Sequence, residues 1–92
     1  MQVPIRTLTL DSLKAGETGI VTALAIQGAE RHRLLDLGVL VGTHITVEMI
    51  SPLGDPIAYG VRGTLIALRR SQARQIQVQL AQAEDQSGGI EQ

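Results

Sequence analysis

Apolar residues in this chain recur mostly at every second position, in short runs separated by Gly, Pro, Ser and Asp. That period places successive side chains on opposite faces of an extended strand. Leu8, Leu10 and Leu13 surround the polar pair Asp11-Ser12, and residues 14–17 read as a turn. The first long strand is expected over 17–26, with Ile20, Thr22, Leu24 and Ile26 on one face and Val21, Ala23 and Ala25 on the other. A second spans 43–50, where Ile45, Val47 and Met49 alternate with His44, Thr46 and Glu48. Residues 51–56, Ser-Pro-Leu-Gly-Asp-Pro, form a dense turn signal. Two further strands follow, 57–61 and 64–68, joined through Arg62-Gly63. The last covers 76–80, with Ile76, Val78 and Leu80 interleaved by glutamines.

One stretch breaks this alternation. Over 29–37, Leu34 and Leu37 stand three apart with Leu35 beside them, which predicts a helix. Gly38 suits its left-handed C-terminal cap. Ser71 could cap a second, short helical turn through Arg74. The expectation is a mostly β domain of about five strands with one inserted short α-helix. Sequential short strands resolve their edges best as a small barrel. An SH3-like barrel is preferred, with an OB-type barrel as the alternative.

Composition narrows the function. The 92 residues suffice for one domain, expected over 1–80 and followed by a flexible, acidic and polar tail over 81–92. There is no Cys, so disulfides, thiol catalysis and Cys-type zinc sites are excluded. Tyr59 is the only aromatic residue, too little for stacking bases or lining a proline-peptide groove. All 8 Lys and Arg, against 6 of the 9 acidic residues, precede Ala81, a net of +2 that falls short of a nucleic-acid-binding domain. The basic set Arg31, Arg33, Arg62, Arg69, Arg70 and Arg74 reads instead as a solvated face with local pairs to Glu30 or Asp36. No apolar run reaches the ~20 residues of a membrane span, and the first ten residues carry no signal-peptide pattern. A cytoplasmic protein is expected, able to be recruited to the inner face of a membrane.

Catalytic motifs are missing. The single Lys14 precedes Ala15, which is not the Lys-Ser/Thr of a phosphate-binding loop. His32 and His44 are the only histidines, and no nucleophile has a spacing that places it beside either. An enzyme is not expected. His32, His44 and Glu48 are weak candidates for holding Fe(II) or Zn(II), with His32 disfavoured by Arg31 and Arg33 on either side. What remains is a surface. Leu34, Leu37, Val39, Leu40 and Val41 crowd large apolar side chains around one short helix, with Arg33 at the rim. Part must be core, and an excess would be a docking patch. Gly38, Gly42, Gly54 and Gly63 each sit where a turn needs an unusual φ.

The run 31–38, Arg-His-Arg-Leu-Leu-Asp-Leu-Gly, followed by Gly42-Thr43, resembles the helix-and-turn signature of FeoA-type proteins. The run 51–57, then Tyr59, Val61-Arg62-Gly63 and 66–70, resembles their second signature, and the opening 10–21 is similar too. Together these cover nearly all of 9–80. The resemblance implies an SH3-like barrel with the helix inserted after the first long strand. It also implies a small cytosolic accessory that binds the ferrous-iron permease FeoB, a membrane protein with a cytoplasmic GTPase domain, and supports or regulates iron uptake. One departure stands out: Val41 occupies a position that is often Pro in the family. Two other readings are carried alongside, a metal-binding or metal-sensing domain and, behind it, a nucleic-acid-binding barrel. Self-association through exposed strand edges is a further expectation.

Overall fold

Two β-bulges decide which side chains face inward. The computed structural model describes residues 7–81, in which six strands form one antiparallel sheet of order β1-β6-β2-β3-β4-β5. The strands are β1 (Leu8–Thr9), β2 (Thr18–Leu24), β3 (His44–Ile50), β4 (Ile57–Val61), β5 (Thr64–Leu68) and β6 (Ile76–Leu80). A 3-10 turn (Leu10–Ser12) follows β1, the helix α1 (Gly28–Asp36) follows β2, and α2 (Arg70–Ala73) precedes β6. The sheet curls into a small SH3-like barrel. Its core joins Val21, Ile45, Val47, Ile57, Tyr59, Val61, Ile66, Leu68, Ile76 and Val78 from the strands with Leu10, Leu34 and Val39 from the connections.

In β2 the pairing with β6 jumps from Val21↔Val78 to Ala23↔Gln77, leaving Thr22 unpaired. An inserted residue reverses the inside-outside alternation beyond it. Val21 therefore faces the core before the bulge and Ile26 after it, where strict alternation put them on opposite faces. The same happens at Glu48 in β3, between Val47↔Tyr59 and Met49↔Ala58. Met49, expected beside Ile45 and Val47, is exposed, and Ile50 packs on the core in its place.

Three further expectations change. β1 adds a sixth strand, too short at two residues for its period to be read. A second helix, α2, forms with Arg69 rather than Ser71 as its N-cap: the Arg69 N–H donates to Gln72 Oε1 at 2.9 Å, and Ala73 is buried. Gly28 is the first residue of α1 rather than only the end of a strand. β4, β5 and β6 keep the bounds read from their alternation. The tail expected over 81–92 lies outside the described residues from 82 onward.

Candidate interaction surface

α1 ends in a motif that sorts its apolar residues into core and surface. Gly38, at φ +97°, donates its N–H to Leu35 O at 3.0 Å, and Val39 N–H reaches back to Leu34 O at 2.9 Å. This is the Schellman pattern, whose companion is a hydrophobic contact between the residues it links. Leu34 is 2% exposed and Val39 fully buried, both in the core. Neither can touch a partner while the domain is folded, so these two leave the docking set predicted from sequence. Leu37 is half-buried against the core.

The exposed remainder is Arg33, Leu40 and Val41. Leu40 and Val41 form the tip of a turn closed by Thr43 N–H to Leu40 O at 2.9 Å, with Gly42 at φ +95°. A positive φ at the third position fits a type II turn, in which Pro is common where Val41 stands. The turn is fixed without it. Thr43 Oγ1 donates to Gly38 O at 3.1 Å and accepts from Leu40 N–H at 3.2 Å. Gly42 N–H donates to Val21 O at 2.7 Å, and Val21 N–H to Thr43 O at 2.9 Å. A held turn thus presents Leu40, 43% exposed, and Val41, 67% exposed.

Next to this corner stands the tip of the β4-β5 hairpin. Its two-residue loop, Arg62-Gly63, has positive φ at both residues, +51° and +82°, as a type I′ turn requires. The Arg62 side chain lies across Gly38, where a Cβ would come 2.6 Å from Arg62 Cδ. Gly38 is therefore fixed twice, by its φ and by this close approach. Beyond the tip, Leu65 on β5 is 64% exposed. It borders an open groove of about 360 Å³ lined also by Thr46, Glu48, Gly60, Gly63 and Thr64. Sequence reasoning missed Leu65 and Arg62, because neither the edge position of β5 nor the contact with Gly38 is encoded in local spacing.

On another side, Arg70 clamps three segments. Its Nε donates to Gly54 O at 2.6 Å and its Nη1 to Asp11 O at 2.9 Å, and its backbone N–H donates to Asp55 Oδ1 at 2.9 Å. Arg74 Nε lies 3.6 Å from Asp11 Oδ2. The basic residues on α2 thus pair with Asp11 and with backbone carbonyls, not with the expected Glu30 or Asp36. Gly54, at φ +89°, sits in the 51–56 turn, which Ser51 closes by donating its hydroxyl to Pro56 O. Tyr59 lies beneath this clamp. Its hydroxyl is buried with no hydrogen-bond partner among the described residues. Burial, reinforced by Asp11, pushes its pKa well above the usual tyrosine value, and Arg70 opposes this only in part.

The metal candidates do not converge. His32 is exposed on α1, His44 opens β3, and Glu48 occupies the β3 bulge with its carboxylate over Gly60. Among the described residues no three His, Cys, Asp or Glu side chains gather as a ligand set.

Comparison with known proteins agrees with this geometry. A family model described as the FeoA domain matches residues 8–80. The chain is 33% identical, over 73 residues, to the Fe(2+) transport protein A/Fe(2+) transporter FeoB fusion protein of Porphyromonas gingivalis; the match covers 79% of this chain and 9% of that protein. The chain therefore spans less than a tenth of that curated relative. Its fold is similar to that of the FeoA protein from Chlorobium tepidum, with a TM-score of 0.79 and 40% identity over 82% of this chain and 71% of the other. It is also similar to FeoA from Stenotrophomonas maltophilia, solved with zinc and described as an SH3 domain protein, with a TM-score of 0.67 and 28% identity over 77% and 88% of the two chains.

Proposed function

The chain belongs to the FeoA domain family, and from that membership we propose that it is an accessory of ferrous-iron transport that docks on the cytoplasmic side of a FeoB-type transporter. It supports or regulates the transporter and catalyses no reaction of its own. The observation that carries this reading is the fusion in the Porphyromonas relative, where a domain of this family and the transporter share one chain. Such a fusion replaces by covalent linkage an encounter that separate proteins make by binding. No helix among the described residues is long and apolar enough to cross a membrane, so the transporter supplies the membrane part.

The turn bearing Leu40 and Val41 is the docking element. Its apolar side chains stand in water on a turn held by five hydrogen bonds, so little ordering entropy opposes their burial by a partner. Leu40→Asp should leave the circular dichroism spectrum and melting point unchanged. In cells lacking the native copy, it should fail to restore Fe(II) uptake. A folded Leu40→Asp protein that restores uptake fully would remove this turn from the interface.

The zinc bound by the Stenotrophomonas relative favours a second reading, a transition-metal-binding domain. It predicts stoichiometric Zn(II) or Fe(II) binding in calorimetry that is lost on His32→Ala or His44→Ala. Titrations showing only weak, nonspecific heats would end it.

A further inference from the structure

β5 ends the sheet, and it does so without the features that usually protect an edge. The hydrogen-bond phase of the sheet fixes what it presents. Val47 bonds to the β2 side, accepting from Gly16 N–H at 2.8 Å and donating to Glu17 O at 2.9 Å. Its neighbour Thr46 therefore bonds to Gly60 on β4, and Tyr59 and Val61 bond to Ile66 and Thr64 on β5. By the same alternation, Leu65 and Ala67 direct their N–H and C=O groups away from β4, four backbone groups in all. Neither residue has any other backbone partner among the described residues. β5 contains no Pro, Lys or bulge, the devices that blunt free edges. The opposite edge, β1, is only two residues long.

We propose that the β5 edge is a docking strand, on which the transporter partner lays an extended segment as a seventh strand, apolar where it passes Leu65 and acidic where it passes Arg69. The inference rests on the accessory reading above. Strand addition takes its affinity from main-chain bonds and its selectivity from alternate side chains. Leu65, Ala67 and Arg69 share the outer face, because Ile66 and Leu68 point into the core. Arg69 is exposed, and its guanidinium makes no ion pair or hydrogen bond among the described residues. A carboxylate opposite it completes a cross-strand pair. The same charge disfavours a second copy of this chain: two-fold pairing about Ile66 sets Arg69 of one copy opposite Gly63 of the other, beside a second Arg62. The site also adjoins the Leu40–Val41 turn, since Arg62, in the hairpin loop that leads into β5, lies on Gly38. One partner can cover both.

The test uses the full chain and the detergent-solubilised transporter. Binding is measured for the native chain, Ala67→Pro, Leu65→Lys and Arg69→Glu, and amide hydrogen exchange is followed with and without transporter. Ala67→Pro removes an outward N–H and spares the β4-β5 ladder, so its melting point should stay near that of the native chain. Leu65→Lys checks the edge independently should the proline disturb folding. Both variants should bind about tenfold more weakly, Arg69→Glu should weaken binding most at low salt, and the Leu65 and Ala67 amides should become protected in the complex. Native binding with unprotected amides and unaffected variants would overturn the edge and leave the accessory reading standing. No binding by the native chain would overturn both. Protection of these amides in the chain alone, rising with its concentration, would assign the edge to a second copy and overturn the proposal.

Discussion

Replacing Gly38 by Ala tests how the helix end and the hairpin tip are joined. The substitution places a side chain at φ +97°, which costs about 1–2 kcal/mol for an L-residue. The new Cβ also stands 2.6 Å from Arg62 Cδ. Arg62 must move to a poorer rotamer, at about 1 kcal/mol. Against these, Ala restricts the unfolded chain and returns about 0.5–1 kcal/mol. The net loss is about 2 kcal/mol. With a urea m-value of about 1 kcal/mol/M, the unfolding midpoint should fall by about 2 M. The same change in an Arg62→Ala background should cost about 1 kcal/mol less, because the clash is gone while the backbone strain remains. Equal losses in the two backgrounds would refute the contact, and a loss below about 0.5 kcal/mol in the native background would refute the account of Gly38 altogether.

Leu34→Ala should destabilise by about 2–5 kcal/mol, whereas Val41→Ser should stay within about 0.5 kcal/mol; urea unfolding of both separates core from surface within one predicted patch. Arg70→Ala should cost about 1.5–3 kcal/mol by removing charge-assisted bonds to Gly54 and Asp11, and Arg70→Lys should not restore it, since an ammonium lacks the planar fork. Tyr59 is the only chromophore of its kind, so phenolate absorbance reports it alone. The unfolded phenol ionises near pH ~10 and the folded one only at higher pH. Stability is therefore fully present below ~10 and falls above it, by about 1.4 kcal/mol per pH unit while only the unfolded state is ionised. A folded protein titrating at the ordinary tyrosine value would contradict the burial of this hydroxyl, and Tyr59→Phe should abolish the slope.

Alternation carried most of the fold. It marked β4, β5 and β6 because the extra residues of the two bulges lie in β2 and β3, so these three strands keep their own alternation, with only Leu80 at the end of β6 turning out to be exposed. It failed at Met49 and Ile26, since a bulge is a property of the pairing between two strands and leaves no trace in either one alone. The site was legible in half. Gly38 and Gly42 announced the turns that create the Leu40–Val41 tip. The burial of Leu34 and Val39 followed only once the Schellman closure had turned the chain back on itself. The edge at β5 was invisible, because 64–68 reads like any other strand and its position depends on the order of all six. Arg70 looked like one arginine among several until the fold brought two carbonyls, 16 and 59 residues away, within its reach.

The pairing of Leu8 with Val78 also shapes the domain as a building block. The first and last strands of the described residues, β1 and β6, adjoin at the opposite end of the sheet order from β5. Circular permutation follows as well: a short bridge from 80 back to 8, with the chain opened at Arg62-Gly63, keeps every strand with its neighbours and converts the hairpin tip into the new termini.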